Sequence, residues 1–412
     1  MKRELVPIIL LNLVNVLGFA ILIPVFPFII EEFGGNEVTY GVLLAMYPLF
    51  QFLGAPALGS LSDTYGRRPI LLISQFGTLV SWVIMAVALL VPNMPAVFGI
   101  SYPLLVIGFA RVVDGITGGN FSVANAYVAD ITAREHKTKI FGIIGSIVGL
   151  GLVLGPVLGG AISSSSWGFM GVIIFSGILS LVTLLLMQRH LPETLAVEKR
   201  AKLTFHIIHD VNVYTKLQRF KKPVIKQLFF IRGFFALVFS AYTSTVVLLM
   251  KDSLGLSMNA IGLLFVVLGG FFIINQAIVV PTIAHKYGNL FAFYVGQAAM
   301  VVGLSLVMFA DSVLTFLSIA YIINLGFSAS FPTFKSMITD LVDDTRQGEI
   351  TGLDESVLAG ASAIAPIVAG SIYAGIKGQS YIYYAAFLII PHIILWVRTK
   401  RPYIIFPGSQ HY

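Results

Sequence analysis

The chain alternates long apolar runs with short polar connections. Apolar stretches fall near residues 5–30, 38–60, 69–91, 101–127, 138–162, 166–187, 224–250, 258–284, 289–309, 313–338, 350–376 and 380–397. A helix needs roughly 20 apolar residues to cross a hydrocarbon core of about 30 Å. The pattern therefore predicts an all-α membrane protein with twelve transmembrane helices. One long polar stretch, 188–223, divides them six and six. We expect an N-terminal six-helix bundle at 1–187, a basic cytoplasmic linker at 188–223, and a C-terminal six-helix bundle at 224–412 with a short tail. The linker, with His206 and His209, reads as a solvated tether; contact with lipid headgroups is the other reading.

Composition agrees with lipid as the solvent. Charged residues make up 11% of the chain and hydrophobic ones 57%, where soluble domains carry about 25% charged. The net charge is +7, but its placement argues against nucleic acid. Of the 26 basic residues, 21 sit on one set of alternating connections: Lys2, Arg3, Arg67, Arg68, Arg134, Lys137, Lys139, the 189–226 segment, Lys286, Arg346, Arg398, Lys400 and Arg401. The opposite connections hold only Lys251 and Lys377 among basic residues, with the acidic Glu31, Glu32 and Glu37. Basic residues stay cytoplasmic, so both termini are expected there, in a multi-pass cell-membrane protein (the inner membrane of a Gram-negative cell). The first apolar run is too long for a signal-peptide core and reads as a retained helix.

Several chemistries are excluded. No cysteine is present, so neither a disulfide framework nor a thiolate metal site can form. There is no phosphate-binding loop, no His-Glu-x-x-His pair and no Gly-x-Ser-x-Gly elbow. We expect no enzyme, cofactor, metal or nucleic-acid partner; the partners are a small molecule, protons and the bilayer, and the protein is a monomer.

The halves repeat faintly. At an offset of 210, Gly142 meets Gly352, Pro156 meets Pro366, Gly160 meets Gly370 and Asp130 meets Asp340; Tyr65-Gly66 recurs as Tyr287-Gly288. Two similar six-helix units suit a mechanism in which one half rocks against the other. Three motifs carry candidate chemistry. Between spans two and three stands Gly59-Ser-Leu-Ser-Asp63-Thr-Tyr-Gly66-Arg67-Arg68-Pro69, where Gly66 permits a tight turn, Pro69 suits a first helical turn, and Asp63 can pair with Arg67. The same cluster serves as a topology anchor. In span five Gly151, Gly155 and Gly159 stand four apart, a spacing that lets backbones approach closely in lipid, and Pro156 kinks the helix. In span four Arg111 and Asp114 share a helical face. Intramembrane charge is a functional candidate by default: either a permanent structural ion pair, or a site where Asp114 takes and releases the driving proton while Arg111 modulates its affinity.

These motifs together resemble the Major Facilitator Superfamily, in its twelve-span drug:proton antiporter branch. The resemblance implies two pseudo-symmetric six-helix bundles. It gives Asp63, Arg67 and Arg68 a latching role in the outward-facing state, makes the span-five run an antiporter motif, and matches Arg111 to the span-four arginine of drug:proton antiporters. Residues 15–27, 51–72, 111–130 and 142–160, with Leu191-Pro192-Glu193, look like tetracycline-efflux proteins; the C-terminal half matches chiefly through Gly262, Pro332 and 347–373. Those proteins usually carry Asp where this chain has Asn15, a histidine at Gly255 and an acid near Met300. These departures argue against a metal–tetracycline cargo.

The C-terminal half adds Arg232, Lys335, Asp354 and Glu355. Adjacent residues point about 100° apart on a helix, so Asp354 and Glu355 cannot share a groove. One is expected to line the cavity and join proton coupling; the other pairs with Lys335 or sits near the cytoplasmic interface. His392 reads as a packing residue. Candidate substrate-binding residues are Asn15, Gln51, Asn120, Asn275, Gln297, Arg232 and Lys335, the last two for an anionic group. The expected function is proton-driven efflux of a small amphipathic compound. The alternatives are uptake by symport of a metabolite or siderophore-like solute, and, in another class, a non-transporting scaffold or lipid-modifying enzyme.

Overall fold

The computed structural model describes residues 5–97, 100–132, 137–200, 213–343 and 346–399. Lys2, Arg3, Arg134, His206, His209, Lys400 and Arg401 lie outside the described residues. The predicted runs are helices, and the chain makes twelve helical passes among the described residues. The first pass is α1 (Leu5–Ala20) and α2 (Phe26–Glu32), separated at 21–25 around Pro24. There follow α3 (Glu37–Tyr65), α4 (Arg67–Leu90), α5 (Tyr102–Gly118) continued by α6 (Phe121–Ile131), α7 (Lys137–Ser163) and α8 (Gly168–His190). A short helix, α9 (Val213–Gln218), precedes α10 (Pro223–Asp252). The last passes are α11 (Met258–Ile274), α12 (Val280–Leu306), α13 (Val313–Asp340), α14 (Gln347–Ile376) and α15 (Ser380–Thr399).

Some features differ from expectation. A small antiparallel strand pair, β1 (Pro95–Val97) and β2 (Ile100–Ser101), stands between α4 and α5. The eighth and ninth passes run together: α11 passes through a π-helical turn, Asn275–Val279, into α12. Within α12 the turn between passes is made at Gly288, with φ 84°. Its counterpart in the repeat, Gly66, ends α3 at φ 108° and ψ 157°. Glycine alone adopts such a conformation readily. The sequence repeat is thus a repeat of backbone conformation at the same connection.

Helix α4 shows how lipid orders a sequence. Ile73, Phe76, Val83, Val87 and Leu90 recur at helical spacing and are exposed, while Ser74, Gln75, Thr78 and Ser81 are buried. A water-soluble helix does the reverse. Hydrocarbon solvates the apolar face at no cost, and the polar face must find partners inside. Gln75 does so by donating to the Ser180 hydroxyl at 2.8 Å.

The described residues form two compact units, Met1–Val211 with Leu256–Val266, and Asn212–Gly255 with Val267–Tyr412. The first unit's core centres on Ile8, Leu11, Leu71, Tyr127, Val128 and Met187. The second unit's centres on Leu228, Phe229, Phe293, Phe334, Ile338 and Leu353. Close backbone approach in the first unit rests on glycine. Gly151, Gly155 and Gly159 of α7 all face α1 and the residues that follow it. A Cβ on Gly155 would meet Ala20, and one on Gly159 would meet the Ile21 carbonyl.

Candidate functional site

The α3–α4 connection is built around one carboxylate. Gly66 turns the chain, and the first N–H groups of α4 then point outward without helical partners. Glu193, just past α8, accepts from Arg67 N at 2.9 Å and Arg68 N at 3.1 Å. It also accepts from the N–H groups of Thr194 and Leu195. A side chain on Gly66 would collide with this carboxylate. The Arg67 guanidinium meets Asp63 at 2.5 Å and Asp130 at 3.5 Å, and donates to the Ser62 hydroxyl at 2.7 Å. Arg68 donates to the Gln188 carbonyl. The structure therefore brings Asp63, Gly66, Arg67 and Arg68 together, whereas Gly59 faces open space.

Glu193 links this cluster to pH. Partial burial opposes its charge, but the N–H groups of Leu195, Arg67, Arg68 and Thr194 outweigh that and hold its carboxyl below the ordinary glutamate range. A lowered native pKa adds stability above the unfolded value of about 4.3, which is lost as pH falls through the native value. The melting temperature of wild type should exceed that of Glu193→Gln at neutral pH, and the gap should close in acid. A gap that does not change with pH would contradict the assignment.

Deeper in the first unit, α5 carries the charged pair. Arg111 and Asp114 are 4% and 6% exposed. Their closest approach is 3.2 Å, from Nη2 to Oδ2, without the alignment of a hydrogen bond. The Arg111 guanidinium lies over the Tyr47 and Trp82 rings, at 5.7 and 5.8 Å, which stabilises a cation with few donors satisfied. The Ser81 and Thr78 hydroxyls of α4 stand beside the Asp114 carboxylate. A narrow cleft lined by Phe19, Ile23, Leu44, Tyr47 and Arg111 opens next to the pair. Close by, Asn15 donates to Asn120 at 2.8 Å, Asn120 to Ser74 at 2.6 Å, and Gln51 to the Gly118 carbonyl at 3.0 Å. Asn15, Gln51 and Asn120 thus form a polar belt around the span-four kink, with Asn120 fully buried.

In the second unit the charges sort differently. Arg232 of α10 donates to both oxygens of Asp354 of α14, at 2.6 and 3.1 Å. The Phe235, Phe331 and Phe334 rings surround the guanidinium at 4.6 to 5.3 Å. Both residues are buried. Asp354 is therefore the inward carboxylate, and its partner is Arg232. Glu355 and Lys335 are exposed. Asn275, in the π-helical turn, donates to Asn324 at 3.2 Å, and Gln297 donates to Ser330 at 2.9 Å. Sequence periodicity missed Glu193 as a helix cap and Arg232 as the partner of Asp354. Both contacts join residues more than 120 positions apart.

Comparison with known proteins places this architecture. The sequence pattern of the Major Facilitator Superfamily matches residues 8–366. The class C tetracycline resistance protein of Escherichia coli is 31% identical over 386 residues, 91% of each chain. The class H protein of Pasteurella multocida is 28% identical, over 96% of this chain and 94% of that one. The fold is also similar to the crystal structure of the human organic anion transporter MFSD10 (TETRAN). That match has a TM-score of 0.69 at 21% identity, over 95% of this chain and 99% of that one. With its twelve passes, its repeated glycine turn and a match over most of its length, the chain belongs to the Major Facilitator Superfamily, a family of membrane transporters and not of enzymes.

Proposed function

We propose that this protein is a monomeric antiporter of the cell membrane, with both termini cytoplasmic, that exports a small amphipathic organic compound in exchange for protons by alternating access. The observation that carries this reading is the buried Arg111–Asp114 pair, loosely engaged, with Arg111 lining a narrow cleft. Protonation of Asp114 removes its attraction to Arg111, freeing the guanidinium to move over Tyr47 and Trp82; loss of the proton restores it. Both states are tolerable because the aromatic rings hold the cation when the carboxylate is neutral. The Arg67 cluster and the α7 glycines serve as the latch and the close-packed antiporter helix.

The relatives that confer tetracycline resistance support efflux. Cargo is another matter: Asn15 is neutral, Gly255 has no side chain and Met300 is buried, so the three ionisable groups that the resemblance places at these positions are absent, which argues against a metal–tetracycline cargo. A thermal-shift screen of the purified protein at pH 6 and pH 8 should reveal a compound that stabilises in a pH-dependent way. Adding that compound to everted vesicles with an acidic lumen should then release luminal protons. Proton movement in the opposite sense would favour the symport reading.

A further inference from the structure

We propose that Lys335 and Glu355 form a two-point recognition site for an amphoteric aromatic compound, its carboxylate held by Lys335 and its ammonium by Glu355. The inference rests on the transport reading above and names the class of cargo.

Helix periodicity separates two exposed faces of α14. Ile364 and Val368 are exposed and apolar, as lipid contact requires. Glu355 stands about 180° from Ile364 at about 100° per residue, on a face shared with Gly348 and Gly352. Apart from the neighbouring residues and backbone of α14 itself, no described atom lies within 4 Å of where a Cβ would sit at either glycine. An ionised side chain on a lipid face is costly, so this open polar face is the hydrated one. On α13, Lys335 is exposed while its neighbours Phe334 and Thr333 are buried. Lys335 and Arg232 both lie within Coulombic reach of Glu355, as does Asp354. Arg232 and Asp354 neutralise each other through two hydrogen bonds. That leaves one open cation and one open anion. No salt bridge within 4 Å joins Lys335 to a described carboxylate, and each charge keeps its donors or acceptors for a ligand.

One turn below Lys335 lies an aromatic shelf. Phe331 packs edge-on against Phe239 at 5.0 Å, and Phe239 against Phe327 at 5.5 Å; Phe327 stacks with Phe272 at 6.2 Å. All four are half-buried, so their rings retain surface for a flat apolar body. A ligand resting there and carrying one charge would leave the opposite site charge unanswered. A zwitterion answers both. A proton on Glu355 would compete with the ligand ammonium, the sense of coupling an antiporter needs.

The test uses three probes with one ring system: 2-naphthylalanine, 3-(2-naphthyl)propionate and 2-(2-naphthyl)ethylamine, titrated calorimetrically into the full-length protein in detergent. The zwitterion should bind at least about tenfold tighter than either singly charged probe. Lys335→Gln should weaken it to the level of the amine, and Glu355→Gln to the level of the propionate. Glu355→Gln should also abolish the weakening of zwitterion binding in acid. Lys335→Arg should retain the preference, and both glutamine variants should melt as wild type does. Zwitterion binding no tighter than that of the better single-charge probe overturns the proposal, as does preference unchanged in both variants, or no binding by any probe. The transport reading fails separately: a probe that binds but exchanges no proton in vesicles would remove it and leave the site standing.

Discussion

Replacing Asp114 by asparagine is expected to abolish proton-driven accumulation without unfolding the protein. Asparagine keeps the size and polarity of the side chain beside the Thr78 and Ser81 hydroxyls, but it cannot exchange a proton. A pH gradient of one unit supplies about 1.4 kcal/mol per proton, equal to a tenfold concentration ratio. In proteoliposomes with such a gradient, wild type should approach a tenfold substrate ratio, and Asp114→Asn should fall to one-to-one while still catalysing passive exchange. The argument turns on how Asp114 is held. Its contact with Arg111 is a single unaligned approach at 3.2 Å, and the Arg111 Nε lacks a hydrogen-bond partner among the described residues. A carboxylate so loosely engaged can lose its charge without dismantling a network. Retained accumulation in a well-folded Asp114→Asn protein would make the pair purely structural.

The second large effect concerns Arg232 and Asp354, where the geometry is the opposite. Two aligned hydrogen bonds at 2.6 and 3.1 Å join a guanidinium and a carboxylate that are both about 95% shielded. Removing one member leaves a buried charge without a counter-ion, which destabilises by roughly 3–5 kcal/mol. Asp354→Ala and Arg232→Ala should each lower the melting temperature sharply. The double replacement Arg232→Met with Asp354→Leu should recover most of it, because no ion then remains to be desolvated. Equal losses in the single and double variants would show that shape, not charge, is what this pair supplies.

The two pairs show how far a sequence can be read. The twelve passes were legible because hydrocarbon thickness demands a long apolar run whatever the packing, and α4 carries its lipid face openly as Ile73, Phe76, Val83 and Val87. The turn at Gly66 was legible because glycine alone suits its backbone, and Gly288 repeats it. Arg111 and Asp114 could be paired since both lie on one helix, where spacing determines facing. The partner of Asp354 was not legible: Lys335 and Arg232 lie on different helices, and periodicity says nothing about which helix a face meets. For the same reason Glu193 passed as part of a family-like Leu-Pro-Glu exit, when it caps α4 across 126 residues. The break after α1 and the π-helical turn at Asn275 escaped because an apolar run looks the same whether its helix is regular or interrupted.

The most direct test measures protons at the binding step itself. Purified protein in weakly buffered detergent solution is mixed with a compound that stabilises it, and the pH change is recorded. Wild type should release protons on binding near neutral pH, and Asp114→Asn should bind the same compound and release measurably fewer. Identical release from the two proteins would contradict the assignment of the driving proton to Asp114.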